Sequence, residues 1–567
     1  MSLLLDRAGA PGARGPLDRL RRAGAPAWAA LVVTLILLAP IAAVLINVFV
    51  PSAGTWRHLA ETVLGSYVAN TVGLALGVGA GVLVIGVALG WLVTMCEFPG
   101  RRFFEWALVL PLAVPAYVMA YVYVELLQFA GPVQGALRVA TGWQFGDYWF
   151  PEIRSLGGAI AMLTLVLYPY VYLLARAAFL EQSVCALDVS RTLGCTAWGS
   201  FFRVALPLAR PAIAAGVALA LMEAVADFGV VSYFDLPTFT TGIYRAWFSF
   251  SDHVAAAQLS SALLCVVFGI LLLERWLRGR GRYHHSSGRY RPLMRYRLRG
   301  LRAGLAASAA LLPLLLGFAL PAAVLLDLAL AGGDAEFGQR YFELAGNSLI
   351  LAVVAALIAV GAAVLLALAA RLRPGRIATA ASRVASLGYA VPGAVIAIGV
   401  LLPVTAFDNA LDAAMRSLFG LSTGLIFSGT ILALLYAYTV RFLASALHTV
   451  EAGFAKVTPS MDSAARALGR GPFRMVLEVH APLVWSSLLT ATLLVFVDVM
   501  KELPATLIMR PFNFDTLAVQ AYNLARDERL TEAATPALTI VAVGLLPVIL
   551  LSRAIARGRP GQSEIGL

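Results

Sequence analysis

The chain is poor in charge, poor in cysteine and nearly without lysine. Only 13% of its 567 residues are charged, 60% are hydrophobic, and the mean hydropathy is +0.83. A water-soluble domain cannot hide that much apolar surface, so the composition excludes a soluble globular fold and points to a chain solvated by lipid. The four cysteines, Cys96, Cys185, Cys195 and Cys265, show no CxxC spacing and no histidine at zinc-ligand spacing. That excludes a zinc module and leaves them as packing residues. The GxxxxGK[ST] phosphate loop is missing, and neither of the two lysines, Lys456 and Lys501, follows a glycine-rich turn. The chain therefore does not cradle nucleotide phosphates in the P-loop manner. No His/Asp metal cluster stands out, and His284-His285 falls in a basic segment, which leaves a membrane enzyme without visible machinery.

What the chain does have is arginine and long apolar runs. Its net charge of +12 comes mostly from arginines in short segments between apolar stretches. That is the signature of membrane topology and anionic lipid, not of nucleic-acid binding. Stretches long enough to span a bilayer fall at 27–50, 68–95, 103–127, 157–180, 211–232, 255–277, 303–331, 347–370, 382–406, 424–447, 484–508 and 533–553. The first follows a polar, Arg-containing stretch and is too long for a signal-peptide core, so it reads as a retained helix. With the N-terminus inside, Arg101 and Arg102, the run from Arg278 to Arg302, the cluster Arg371, Arg373 and Arg376, and the last arginines all lie inside. The reverse orientation would put nearly all of this charge outside. Cys185 and Cys195 then face the cytoplasm, where thiols stay reduced.

The chain also repeats itself. Asn70-Thr71-Val72 matches Asn347-Ser348-Leu349, and Pro115 matches Pro392, both at an offset of 277. From Asp188 to about Ser260 the match runs at an offset of 275 without a gap. Each half holds six spans, an even number, so the halves are parallel repeats about an axis along the membrane normal. The expected fold class is all-α and polytopic, with about 12 transmembrane helices in two parallel six-helix repeats. The expected organisation is a cytoplasmic tail 1–26, a first repeat 27–277, a basic linker 278–302, a second repeat 303–553 and a cytoplasmic tail 554–567.

The most informative segment is the inside loop between the fourth and fifth spans of each half. It reads Asp188-Val189-Ser190-Arg191-Thr192-Leu193-Gly194, then eleven residues, then Leu206-Pro207. Its counterpart reads Ser463-Ala464-Ala465-Arg466-Ala467-Leu468-Gly469, eleven residues, then Ala481-Pro482. Small residues allow close approach by a partner, the glycine permits a left-handed helix end, and the proline sets the start of the next span. This pattern resembles the permease subunits of binding-protein-dependent ABC importers, whose signature is Glu-Ala-Ala, two residues, Leu-Gly, and a spacer ending in Leu-Pro. The resemblance implies the type I importer permease fold, in which each loop forms a coupling helix that docks on an ATPase subunit. It assigns ATPase coupling to Asp188, Ser190, Arg191, Gly194 and Pro207, and to Ser463, Ala465, Arg466, Gly469 and Pro482. It also implies two copies of a cytoplasmic ATPase that binds ATP and Mg, a periplasmic substrate-binding protein, and a bacterial inner membrane with both termini cytoplasmic. Asp188 replaces the signature acid conservatively, whereas Ser463 does not, with Asp462 just before it, so the second loop departs from the signature at its acidic position.

Four carboxylates fall inside predicted spans. Glu223 and Asp227 lie four residues apart, hence on one helix face, and Asp498 and Glu502 repeat them at an offset of 275. A charge inside a bilayer costs on the order of 3 kcal/mol, so the four require a reason. One reading is an acidic, cation-attracting stretch between the halves, with carboxylate oxygens suited to a hard cation. The other is structural: neutralisation by Lys501 or an Arg from a neighbouring span, helix capping, or a gate held by hydrogen bonds. Tyr168, Tyr170, Tyr436 and Tyr438 are further pathway candidates, against a packing or interfacial role.

A narrower resemblance comes from Val499-Met500-Lys501-Glu502-Leu503-Pro504-Ala505-Thr506, continuing to Arg510-Pro511-Phe512-Asn513-Phe514-Asp515-Thr516-Leu517-Ala518, and from Ala226-Asp227-Phe228-Gly229-Val230-Val231-Ser232-Tyr233-Phe234. These stretches look like the fused permeases of ferric-iron ABC importers, which implies iron(III) as cargo. Fused permeases for thiamine and for phosphonates are similar, and an ion-coupled secondary transporter shares the repeats and buried carboxylates but has no ATPase to dock. The long outward loops, around 128–156, 233–253 and 509–532, are the candidates for meeting a binding protein.

Overall fold

The computed structural model describes residues 25–144, 146–181, 190, 192–278, 295–332, 338–372 and 376–557. The expected tails, most of the linker 278–302, and Asp188 and Arg191 lie outside the described residues. The fold is all-α, with twelve helical stretches among the described residues long and apolar enough to cross a membrane.

The first half comprises α1 (Ala25–Ile46), α2 (Ala53–Thr62), α3 (Leu64–Met95), α4 (Arg101–Ala107), α5 (Ala116–Leu127), α6 (Pro132–Thr141), α7 (Leu156–Glu181), α8 (Leu206–Ala226), α9 (Gly229–Tyr233), α10 (Phe239–Tyr244) and α11 (His253–Arg278). The second comprises α12 (Leu301–Leu314), α13 (Leu320–Gly332), α14 (Gln339–Leu372), α15 (Arg376–Ala385), α16 (Gly393–Phe419), α17 (Ile431–Phe454), α18 (Pro459–Ala467), α19 (Ala481–Met500), α20 (Pro504–Met509), α21 (Leu517–Arg526) and α22 (Leu530–Arg557). A short parallel ladder, β1 (Cys96–Glu97) with β2 (Tyr296–Arg297), joins the end of α3 to the chain entering the second half.

The core of each half is built the same way. Helix α7 packs along α3 and α8, and its counterpart α17 packs along α14 and α19. Lipid tails are as apolar as leucine, so close backbone approach rather than a hydrophobic drive holds such helices together. Glycines provide it. Gly73, Gly81, Gly86 and Gly90 of α3 face Leu156, Thr164, Val171 and Ala175 of α7 in the same order, so the two helices run parallel, as spans two and four must. A Cβ at Gly86 would stand 2.6 Å from Val171 Cβ and 2.9 Å from Tyr172 N, and one at Gly216 of α8 would stand 2.9 Å from Val171 Cα. Val171 is thus clasped between two glycines.

The first span of each half leans on the other half. Helix α1 packs against α16 and α14, and Tyr436 of α17 donates its hydroxyl to the Ile36 carbonyl. In the mirrored direction α13 packs against α5, and Tyr123 donates to the Leu316 carbonyl at 2.7 Å. The halves therefore form one interlocked bundle.

Three expectations about the spans are corrected. The stretches 103–127 and 382–406 are not continuous helices. Each is a short helix, a 3-10 turn (Leu110–Ala113 or Gly388–Ala390), and a new helix that starts after Pro115 or Pro392. Both prolines are extended N-caps (ψ 141° and 143°), because a proline cannot continue the preceding hydrogen-bond ladder. The stretches 211–232 and 484–508 also break, after Ala226 and Met500. Finally, the span placed at 424–447 begins only at Ile431. The buried Asp408 carboxylate accepts from Phe427 N (3.1 Å) and Ser428 N (2.6 Å), and Asp412 accepts from Thr423 N (2.8 Å) and Gly424 N (3.0 Å), which holds the apolar segment before it as a loop.

Gly86→Leu should destabilise the first half by about 1–3 kcal/mol through overpacking, seen as a lower unfolding midpoint in detergent. Gly361→Leu, at a position of α14 with open space around it, should change the midpoint little. Equal losses for the two would refute the clasped-helix account.

Candidate functional site

The breaks in the fifth and eleventh spans make a site. Asp227 ends α8 in an extended conformation (ψ 133°), and its Oδ1 accepts from Val230 N at 2.8 Å, capping α9. At the equivalent place Glu502 follows α19, and its Oε1 accepts from Ala505 N at 3.0 Å, capping α20. The backbone carbonyls of these two residues accept from Thr240 Oγ1 (3.0 Å) and Thr506 Oγ1 (2.8 Å). A broken helix at membrane depth is tolerated only where its freed polar groups find partners and protein covers it.

Between the two breaks lies a cavity of about 110 Å³ lined by both halves. All four predicted carboxylates, Glu223, Asp227, Asp498 and Glu502, border it, together with Arg441 of α17 and Lys501. Arg441 Nη1 pairs with Glu502 Oε1 at 3.0 Å, and Lys501 Nζ pairs with Asp498 Oδ1 at 2.9 Å. Both cations are committed to carboxylates, so the lining keeps an excess of two acidic groups. Among the described residues no group of three or more His, Cys, Asp or Glu side chains is placed to hold a metal ion.

Three phenols complete the lining. Tyr170 and Tyr389 border it from opposite halves. Tyr117 is buried, and its hydroxyl has no hydrogen-bond partner among the described residues. Of the four tyrosines singled out from sequence, only Tyr170 reaches the cavity. Tyr438 bonds Thr506 Oγ1 at 2.5 Å, Tyr436 anchors α1, and Tyr168 is buried away from the lining.

The cavity is sealed on the side away from the two inside loops. The Phe228 ring stacks on Tyr244 with centroids 3.6 Å apart, Ser232 Oγ lies 2.9 Å from Tyr522 Oη, and Tyr244 donates to the Pro504 carbonyl. The last two contacts join one half to the other. The repeated Asn-hydroxyl pair fastens these sealing segments to the second span of each half. Asn70 Nδ2 donates to Pro237 O (2.9 Å) while Thr71 Oγ1 accepts from Phe239 N (3.3 Å). Likewise Asn347 Nδ2 donates to Asp515 O (3.2 Å) and Ser348 Oγ accepts from Leu517 N (2.8 Å).

The two inside loops share one backbone design. Cys195 N donates to Ser190 O (2.9 Å), and Arg470 N donates to Ala465 O (3.0 Å). These bonds close the same helix end around Gly194 (φ 80°) and Gly469 (φ 75°). Nothing lies within 4 Å of a Cβ built on either glycine, so conformation and not crowding requires glycine there. Pro207 and Pro482 sit in the first turns of α8 and α19. Ser190 is buried against Ser200, with Oγ atoms 2.7 Å apart. In the second loop Ala465 is buried, while Ser463 and Arg466 are exposed. Asp462 is turned inward. Its Oδ1 accepts from His480 Nε2 at 2.8 Å, and its Oδ2 pairs with Arg371 at 2.9 Å. Burial alone would raise the Asp462 carboxyl, but the His480 hydrogen bond and the Arg371 charge outweigh it and hold it below the ordinary carboxylate value.

Sequence reading missed Arg441, Tyr117, Tyr389, Arg371 and His480. Arg441 carried a usable signal, as a lone charge in the apolar run 431–447. The others look like any polar residue near a span.

Comparison with known proteins bears on the whole chain. Residues 83–279 and 359–559 each match the profile of a family described as "Binding-protein-dependent transport system inner membrane component". The chain is 26% identical over 494 residues to the Fe(3+)-transport system permease protein FbpB 2 of Haemophilus influenzae, covering 86% of this chain and 90% of that protein. It is 27% identical over 201 residues to the molybdenum transport system permease protein ModB of Escherichia coli, covering 34% of this chain and 85% of that protein. It is 31% identical over 205 residues to the sulfate transport system permease protein CysW of Escherichia coli, covering 36% and 67% respectively.

Removing one member of the buried Arg441–Glu502 pair leaves the other uncompensated. Arg441→Met should cost about 3–5 kcal/mol, whereas Arg441→Met with Glu502→Gln should recover most of it. Unfolding midpoints in detergent would check this, and a double variant no more stable than the single one would contradict the pairing.

Proposed function

The chain belongs to the binding-protein-dependent transport system inner membrane component family, and from that premise we propose that it is the complete membrane unit of an ABC importer for iron(III). Within the family it is a transport permease and not an enzyme, and it works beside a binding protein and an ATPase. The family-matching segment occurs twice, so one copy supplies both halves of the translocation unit and stands on two ATPase subunits. The loops around Gly194 and Gly469 are the docking points. The arginine distribution supports a reading in which those loops and both termini face the cytoplasm.

The observation that carries the cargo reading is the lining of the cavity between the broken spans. Carboxylate and phenol oxygens are hard donors that suit a small, highly charged cation. The excess acidity disfavours molybdate or sulfate, since Arg441 and Lys501 are already paired. A relative that aligns across both halves, over 86% of this chain, is named for Fe(3+) transport, whereas relatives named for molybdenum and sulfate align over 34% and 36% of it. In this reading Glu223, Asp227, Asp498 and Glu502 line the closed translocation pathway, and the unpartnered Tyr117 hydroxyl is a cargo contact.

Uptake of radiolabelled iron(III) into vesicles carrying the chain, its ATPase and its binding protein tests the cargo. Iron uptake that unlabelled molybdate, sulfate and thiamine do not suppress is the expected result; uptake of molybdate or sulfate instead would overturn it. Tyr117→Phe should slow iron uptake several-fold while ATPase assembly is unchanged. The double variant Gly194→Val and Gly469→Val should abolish uptake with normal membrane insertion, because a β-branched residue is strained at positive φ. Normal uptake by that double variant would sink the docking assignment.

A further inference from the structure

Helix α5 carries oxygen-bearing side chains at every fourth position from the cavity outward. Tyr117 borders the cavity, Tyr121 stands one turn farther out, and the half-buried Glu125 one turn beyond that. Residues four apart share a helix face, and four residues rise about 6 Å. The three therefore make a stripe that leads from the cavity toward the outer face. Tyr121 is 2% exposed, and its hydroxyl, like that of Tyr117, has no hydrogen-bond partner among the described residues. A buried phenol usually finds a partner. Tyr123 of the same helix does so, through its bond to the Leu316 carbonyl. Two successive turns of one stripe thus hold stranded hydroxyls.

The seal lies directly on this stripe. The Tyr233 ring of α9 meets the Tyr121 ring edge-on, with centroids 4.6 Å apart. Gly229 lets α9 lie against Tyr117, since a Cβ there would collide with Tyr117 Cβ. Ser232, beside Tyr233, contacts Tyr522 of the other half. Farther out, the Arg154 guanidinium stands 5.2 Å from the Tyr233 ring centroid and pairs with the exposed Glu528 of the second half at 3.9 Å. Helix α9 is therefore the element whose displacement would bare Tyr117 and Tyr121.

The repeat shows that the fold does not need these hydroxyls. At an offset of 277, the register of Pro115 and Pro392, the positions of Tyr117, Tyr121 and Glu125 are held by Ala394, Ile398 and Leu402 of α16. Ala394 and Ile398 are fully buried, and α16 packs on α20 as α5 packs on α9. An apolar face suffices for that contact, whereas a stranded hydroxyl weakens it. Phenylalanine would serve a packing role at position 121 at least as well.

We infer that Tyr121 is a cargo contact, and that Tyr117, Tyr121 and Glu125 form a one-sided oxygen ladder along which iron(III) crosses the opened seal to the cavity. The inference rests on the cargo reading proposed above. Hydroxyl and carboxylate oxygens are hard donors suited to such a cation, and each rung lies one helical turn from the next. The facing positions of α16 offer only hydrocarbon, so the cargo tracks along the first half.

The test uses the full chain with its ATPase and binding protein in lipid vesicles. It reads the maximal rate of iron(III) uptake, the half-saturating concentration of iron-loaded binding protein, and the unfolding midpoint of the purified chain in detergent. Tyr121→Phe deletes only the hydroxyl. It should lower the maximal rate at least fivefold, leave half-saturation within twofold, and leave the midpoint unchanged or raised, since no hydrogen bond is lost. Glu125→Gln should lower the maximal rate at least twofold. Tyr168→Phe removes a hydroxyl of α7 that is equally buried and unpartnered among the described residues but lies outside the cavity lining, and it should change the rate less than twofold. Either stripe variant transporting at the unaltered rate would overturn the inference, as would an equal loss in Tyr168→Phe. A lowered midpoint or failed assembly of Tyr121→Phe would mark its hydroxyl as structural and overturn the inference too. Uptake of another solute but no iron by the unaltered complex would instead overturn the cargo reading, and the ladder would fall with it.

Discussion

In hydrocarbon every backbone N–H and C=O needs a partner, because no water is there to supply one. The architecture follows from that constraint. It forces the apolar stretches into helices, and it confines each interruption to places where protein surrounds the freed groups. The breaks after Ala226 and Met500 are such places. Asp227 and Glu502 accept the amides that the interrupted ladders release, and Thr240 and Thr506 answer their carbonyls. Four polar side chains thereby stabilise two breaks that would otherwise each leave amides stranded in lipid.

The same groups set the electrostatics. Carboxylates that cap helices must be buried, and burying them requires compensating charge. Arg441 and Lys501 supply part of it, and the remaining acidity faces a small shared cavity. A structural role for these carboxylates therefore does not exclude the cargo role proposed above. A carboxylate can accept one backbone amide and still present a second oxygen to the cavity. The glycines of α3 serve the same end by a different route, since close packing of α3, α7 and α8 fixes where α8 ends and hence where Asp227 stands.

The two inside loops end on the same glycine turn, and the described side chains around it differ. Duplication copies a fold, and each copy can then fix the same geometry with different side chains. Among the described residues, Ser190 meets Ser200 in the first loop, and Asp462 meets Arg371 and His480 in the second. The clamps at Asn70 and Asn347 kept one solution, because both hold a backbone carbonyl just ahead of a sealing helix, a task that tolerates little variation in length.

Much of the fold was legible in the chain: apolar length, arginine distribution and the register of the repeat suffice for twelve spans in two parallel halves, because all three are properties of segments rather than of contacts. The paired carboxylates were legible for the same reason, since a charge in an apolar run stands out whatever surrounds it. Helix interruptions were not. The run 484–508 reads as continuous because hydrophobicity does not register where a ladder is cut, and 424–430 reads as span because nothing local shows that Asp408 and Asp412, in the preceding helix, capture its amides. Sequence by itself determined the class of protein, the number and grouping of its spans and the acidic character of its interior. Only the tertiary structure decided that the four carboxylates share one cavity, which two of them are paired with cations and how Asp462 is held in the second loop, because those depend on side chains from distant helices meeting at distances no local pattern encodes.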